Sequence, residues 1–251
     1  MSSPERVNVP LLSQLIPGGI RPATIFLVEF DPESQWFSIA TTIVARLLQA
    51  NGHAGYVAQS RPLEQVKHDL ELLGVDVSVA QKEGRLTIDD QYSATLMGGR
   101  LESSGSQAGV FEEIPGGVRY HSLKVADLSV HWLKESKAPV AERSGDFAVV
   151  ESISEMLRFN EEKTFAEWMV SRVNPEERRA KRVTLQAFVR GVHSEWFYKR
   201  MEAASDGVID IRVMEREGEA KNFLRIRSLR GESHDARWHE ISIKSGEANL
   251  T

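Results

Sequence analysis

The chain has 251 residues, 41% of them hydrophobic and 27% charged, with no cysteine and a formal net charge of -5. A single domain of that length can bury about three-quarters of its unfolded surface and needs no disulfide or metal staple. The lack of cysteine excludes a disulfide framework, thiolate-bound zinc, iron–sulfur clusters and thiol catalysis. Charge is uneven: residues 1–150 hold 13 Lys/Arg against 18 Asp/Glu, and residues 151–251 hold 18 of each. Neither half is basic enough to announce nucleic-acid binding by bulk charge. The opening MSSPERVNVP has Pro4 and Glu5 where a signal peptide would need a basic start and an apolar run. No stretch reaches the roughly 20 apolar residues of a membrane span. A soluble, cytoplasmic protein with no membrane partner is the expectation.

In chain order, Thr24–Phe30 is an apolar run that predicts a buried strand, followed by a turn at 31–34. Phe37–Gln49 has helical spacing and Asn51-Gly52 supplies its C-terminal stop. Gly55–Ala58 predicts a second strand, Leu63–Leu73 an amphipathic helix ended by Gly74, and Leu86–Asp89 a third strand. Alternating strands and helices predict a largely parallel α/β sheet flanked by helices. Residues 98–122 begin Gly/Ser-rich and without period, and are expected to be a flexible loop or insertion within a single domain spanning 1–251. Phe147–Val150 resumes a buried strand; Ser154–Val173 is helical, with a break expected at Asn174-Pro175. Val183–Val189 predicts a strand and Ser194–Ala204 a helix. Val208–Met214, Phe223–Arg227 and Trp238–Ile243 predict late strands, the first two an antiparallel hairpin.

Four local strings carry a resemblance. Leu15-Ile16-Pro17-Gly18-Gly19-Ile20 precedes the first strand, and Pro62-Leu63-Glu64-Gln65 follows the second. Ser205-Asp206-Gly207-Val208-Ile209 opens a late strand, and Leu224 to Asp235 reads LRIRSLRGESHD. In order and spacing, over roughly residues 12–245, these resemble the KaiC-like branch of the RecA-type ATPases. The resemblance implies a RecA-like fold and, in intact members, magnesium-dependent ATP hydrolysis between subunits of an oligomer.

The departures fall on the chemistry. A working GxxxxGK[ST] loop cradles phosphates with backbone N–H groups, its lysine on the terminal phosphates and its hydroxyl on magnesium. Aligned on Phe37-Ser38-Ile39, that motif falls at 28–35, which here reads VEFDPESQ. Val28 and Glu33 stand for the glycines, Ser34 for the lysine and Gln35 for the hydroxyl. Glu29, Asp31 and Glu33 add negative charge where phosphates would sit. Two like charges about 4 Å apart repel by roughly 4 kcal/mol at an effective dielectric near 20. Gln59 and Ser60 occupy the positions of the water-polarising glutamates, and neither is a competent base near neutral pH. Glu151 keeps a carboxylate at the metal-holding position; an ordinary acid at a strand end or helix cap is the plainer account. The expectation is a catalytically inactive module with no cofactor, and the alternative an ATPase with a displaced phosphate site resting on Glu151.

Such a module would oligomerise, a ring being one form, and bind a partner. The RecA-like subunits of the Elongator complex, which lack these loop residues and engage transfer RNA, are similar in general pattern. Interface candidates are Glu29, Asp31 and Glu33 of one copy against Arg227 and Arg230 of another, a bidentate Arg–carboxylate contact replacing a phosphate-mediated one. Arg172, Arg178, Arg179, Lys181 and Arg182 are candidates for RNA phosphates, against the plainer reading of a solvated face with local ion pairs. A protein partner without nucleic acid is the third reading. Trp196-Phe197 reads as core or as a base-stacking pair. His234-Asp235 with His239 reads as polar loop residues rather than a metal site, and no GxSxG string places a nucleophilic serine.

Overall fold

The computed structural model describes residues 6–93, 109–114, 117–122 and 146–251. Its centre is a nine-stranded sheet in the order β11-β10-β9-β8-β1-β7-β6-β2-β3. The strands are β1 (Ile25–Phe30), β2 (Ala54–Ala58), β3 (Leu86–Asp90), β6 (Phe147–Val150), β7 (Val183–Val189), β8 (Gly207–Arg216), β9 (Glu219–Leu229), β10 (His239–Lys244) and β11 (Glu247–Leu250). From β3 through β2, β6, β7, β1 and β8 every neighbouring pair is parallel. From β8 outward to β11 every pair is antiparallel. The expected α/β architecture with antiparallel C-terminal strands is therefore present.

β1 is a continuous apolar run because both of its faces are covered: all six residues are buried. Phe26, Val28 and Phe30 pack with helices α1 (Trp36–Gln49) and α2 (Leu63–Leu72) and the N-terminal segment. Leu27 points to the other face, under helices α5 (Glu162–Trp168) and α7 (Glu195–Ala204), with Phe165, Phe188, Phe197 and Met201. Asn51, at φ 59°, supplies the left-handed residue that ends α1. The predicted hairpin closes through Glu217-Gly218, both at positive φ, as a two-residue turn requires.

Three features differ from expectation. A short helix α3 (Val77–Lys82) follows Gly74, its N-terminus capped by the Asp76 carboxylate accepting from Val79 N–H at 2.9 Å. β11 adds a further antiparallel strand through the Ser245-Gly246 turn. The chain does not break at Asn174-Pro175. After α4 (Ile153–Met156) and a 3-10 turn, α5 runs through a π-helical stretch at Met169–Val173 directly into α6 (Asn174–Arg179). Pro175 stands in the first turn of α6. A missing N–H is accommodated there, where the π-helical stretch interrupts the regular α-helical hydrogen-bond ladder. Within the segment expected to be a loop or insertion, β4 (Gly109–Ile114) and β5 (Gly117–Ser122) form a separate antiparallel hairpin. Residues 98–108 and 115–116 lie outside the described residues. Among the described residues no helix is long and apolar enough to cross a membrane.

Candidate functional site

The candidate site lies at the C-terminal ends of the parallel strands, where α/β sheets place their ligand-binding loops. β1 stands between β7 and β8 and leads through residues 31–35 into α1. This is the strand–loop–helix frame of a phosphate cradle, yet its groups are committed within the chain. Ser34 N–H donates to Asp31 O at 2.9 Å, and Gln35 N–H donates to Asn222 Oδ1 at 2.8 Å. Val28, aligned with a cradle glycine, is a fully buried strand residue rather than part of the loop.

Two acids at the end of β1 and the start of this loop, Glu29 and Asp31, are neutralised by arginines of the same chain. Glu29, 6% exposed, accepts from Arg227 at 2.6 Å and lies 3.5 Å from Arg212. Burial raises its pKa, with Arg227 opposing. Asp31 pairs with Arg190 at 3.0 Å, lies 3.8 Å from Arg212, and accepts from Val213 N–H at 3.1 Å. Asp210, 1% exposed, holds Arg225 at 2.8 Å and Arg212 at 3.1 Å. Arg227 also reaches Glu202 at 2.6 Å; burial disfavours its charge, but Asp210, Glu29 and Glu202 outweigh that and raise its pKa. Burial dominates at Arg212 and lowers its pKa. The complementarity expected between subunits at Glu29, Asp31 and Arg227 is thus met inside one chain. Glu33 is exposed and, among the described residues, has no ion pair.

Glu151 is neither a helix cap nor accessible to a metal. It is fully buried at the end of β6, and its Oε1 accepts from the N–H groups of Gln59, Ser60 and Arg61 at 2.9, 2.7 and 3.2 Å. Its Oε2 accepts from Tyr56 Oη at 2.6 Å and lies 3.4 Å from the Arg61 guanidinium. Arg61 in turn holds Asp69 at 2.6 Å. Trp36 Nε1, at the start of α1, donates to Glu151 O at 2.7 Å. One residue therefore ties together β6, α1 and the loop after β2. Burial and the adjacent Glu151 push the Tyr56 hydroxyl pKa well up. Burial disfavours charge on Arg61, but Tyr56 and Glu151 more than offset it and raise its pKa.

The other polar groups around Glu151 are neutral. The Gln59 amide and the hydroxyls of Ser34, Ser60 and Ser152 are buried without a hydrogen-bond partner among the described residues. None can balance phosphate charge. With no lysine, two loop N–H groups committed and the aligned carboxylate saturated, these residues do not fit a magnesium–nucleotide in the usual mode. No group of three His, Asp or Glu among the described residues is placed to hold a metal. Asp235 is occupied by Arg237 at 2.6 Å, a bond that holds its carboxyl well below the usual range, and by His239 at 3.3 Å.

The basic segment lies elsewhere, before the start of β7 and so at the opposite end of the parallel strands. Arg178 pairs with Asp206 at 3.0 Å, Arg182 with Glu177 at 2.9 Å, and Arg179 with Glu176. Arg172 and Lys181 are exposed and have no ion pair among the described residues. Arg230 also stands at this end: its N–H donates to Asp206 O at 2.8 Å and its guanidinium to Ala203 O at 2.9 Å. With Lys199, Glu202, Asp206, Arg227 and Ser228 it lines a concavity of about 460 Å³. The Trp196-Phe197 pair divides: Phe197 is core and Trp196 is 47% exposed. The pairing of Glu29, Asp31 and Asp210 with Arg190, Arg212, Arg225 and Arg227 was missed from sequence. Its only sequence signal is acids inside the apolar strings FLVEF and GVIDI.

No protein-family model matches the chain, and no curated protein matches it in sequence. Among solved structures it is similar to the KaiC-like protein of the hyperthermophilic archaeon Pyrococcus horikoshii, with a TM-score of 0.71 and 17% identity over 100% of both chains. At that identity the likeness is one of fold, and the fold is the KaiC-like form of the RecA architecture.

Proposed function

We propose that the protein is a KaiC-like module silent as an ATPase, which assembles head to tail with copies of itself and acts as a scaffold or regulator for a partner. The observation that carries this reading is the commitment of the phosphate-loop frame to intrachain bonds, above all the burial of Glu151 under five donors. Titration calorimetry of ATP with magnesium tests it. No heat at 100 μM nucleotide is expected on the order-of-magnitude scale of ordinary ATP sites. Micromolar binding lost in Glu151→Ala would instead favour the displaced-site ATPase.

Glu33 and Arg230 support the assembly. They lie at opposite ends of the parallel strands, so they can meet only between two copies arranged head to tail. Light scattering over a dilution series should show weaker assembly for Glu33→Arg and for Arg230→Glu, and recovery when both are combined. Unchanged mass for both single variants would remove this contact from the proposal.

For RNA, only Arg172 and Lys181 of the basic segment lack a carboxylate partner among the described residues. A single-strand complex made through those two contacts should show a log K against log salt slope of about -1.4, rather than about -3.5 for all five. A gel shift at two salt concentrations decides; no shift at low salt leaves a protein partner as the reading.

A further inference from the structure

We propose that Ser154, His193 and Glu162 form a second, independent centre in which Ser154 is an activated nucleophile for acyl transfer from small, activated esters. Ser154 follows the end of β6, His193 follows the end of β7, and Glu162 opens α5. The three meet only through the fold. Ser154 Oγ lies 2.8 Å from His193 Nε2, and His193 Nδ1 lies 3.5 Å from Glu162 Oε1. The carboxylate at Nδ1 keeps a proton on that nitrogen, which leaves Nε2 as the acceptor for the serine hydroxyl. This is the nucleophile–base–orienting-acid relation that activates serine, and it is recognised by geometry rather than by sequence position.

Further contacts fix the arrangement. Val189 N–H donates to Ser154 Oγ at 2.9 Å, so the oxygen already accepts one bond and its own proton is available for donation to His193. Glu162 is held in turn by Ser194, whose N–H donates to Oε1 at 2.9 Å and whose hydroxyl donates to Oε2. The imidazole packs among Phe188, Phe197 and Tyr198, with ring centroids 5.1–6.1 Å away. Its side chain is 7% exposed. Burial lowers the His193 pKa against the pull of Glu162, so the ring is a neutral base at pH 7. Val192 and Trp196, which flank His193 and Ser194 in the chain, are exposed apolar side chains.

The step is a substitution at carbonyl carbon. Ser154 Oγ bonds to the acyl carbon as its proton passes to His193 Nε2, and the ester's alkoxide or phenolate leaves; the proton goes to the leaving oxygen or to solvent, which returns His193 to its neutral form. Water, deprotonated by His193, then cleaves the acyl-serine and regenerates the hydroxyl. No metal or redox partner is required. This centre uses none of the groups of the phosphate-loop frame, so it stands or falls separately from the ATPase-silent reading.

A small fluorophosphonate is the probe: attack by Ser154 forms an O–P bond and expels fluoride. The folded wild-type chain should gain one adduct, mapped to Ser154 by peptide mass spectrometry, and the heat-unfolded chain none. His193→Gln should slow labelling at least 100-fold, the scale of general-base assistance, while circular dichroism reports whether the variant remains folded. Because the chain has no cysteine, Ser154→Cys supplies a single thiol. Its alkylation by iodoacetamide should plateau below the ordinary thiol pKa of about 8.5 if His193 is coupled to it. No adduct on folded wild type, or an unshifted thiol profile in a folded Ser154→Cys chain, would overturn the proposal and leave the cluster as a structural tie.

Discussion

Replacing Glu151 by alanine tests the central structural argument most directly. The carboxylate is wholly buried, and its removal leaves three consecutive backbone N–H groups, the Tyr56 hydroxyl and the Arg61 guanidinium without their acceptor. Breaking a buried ion pair by deleting one partner costs about 3–5 kcal/mol. Arg61 keeps Asp69 and is 17% exposed, which favours the lower half of that range. Unfolding entropy near 2.1 cal/mol/K per residue gives about 0.5 kcal/mol/K for a chain of this size, so a loss of about 3–4 kcal/mol should lower Tm by about 6–8 °C. Glu151→Gln, which keeps an acceptor for the loop amides but sets an NH2 group against Arg61, should lose about half as much. Scanning calorimetry reads the shift, and hydrogen exchange at residues 59–61 should lose protection in the alanine variant. A Tm change under 2 °C with protection intact would refute the view that this carboxylate pins the β2–α2 loop.

Two further predictions follow from packing and titration. A Cβ at Gly207 would lie 2.6 Å from the Phe26 ring carbons and 3.1 Å from Leu229 Cδ1. Gly207→Ala should therefore cost about 1–3 kcal/mol by overpacking, and Phe26→Leu should restore part of it in urea denaturation. The folded His193 pKa is lowered by burial, so the unfolded chain binds the proton more readily. The resulting stability is full above pH 6.5 and is lost as pH falls from 6.5 through the lowered folded value. Tm measured between pH 8 and 5.5 should decline in that window for wild type and decline less for His193→Gln; equal slopes would contradict the assignment.

Much of the fold was legible in the amino-acid order. Parallel strands buried on both faces must be continuous apolar runs, so β1, β6 and β7 stood out. Helix ends and the β8–β9 hairpin were marked by Asn51, Gly74 and Glu217-Gly218, where positive φ is required. The helix through Asn174-Pro175 was not legible, because proline stops a helix or begins one according to the turn before it. Only the packed π-helical stretch decides between them here. β11 and α3 are short enough that their signals, Ser245-Gly246 and the Asp76 cap, pass unnoticed without the sheet edge and core they join.

The candidate site divides in the same way. The sequence alone determined that residues 28–35, VEFDPESQ, hold no glycine and no lysine, whereas only the structure showed that Val28 belongs to the strand and not to the loop. The sequence also showed an excess of acids in residues 1–150 and balanced charge in residues 151–251. Only the tertiary structure decided which acid meets which arginine. Glu29 and Arg227 are 198 residues apart, Asp31 and Arg190 are 159 apart, and Ser154 and His193 are 39 apart. Periodicity reports which face of an element is buried, because the hydrophobic effect depends on area and not on partner. A charge must find a particular opposite charge or donor within a few ångströms to offset its desolvation, and in a parallel sheet that partner comes from a strand far along the chain.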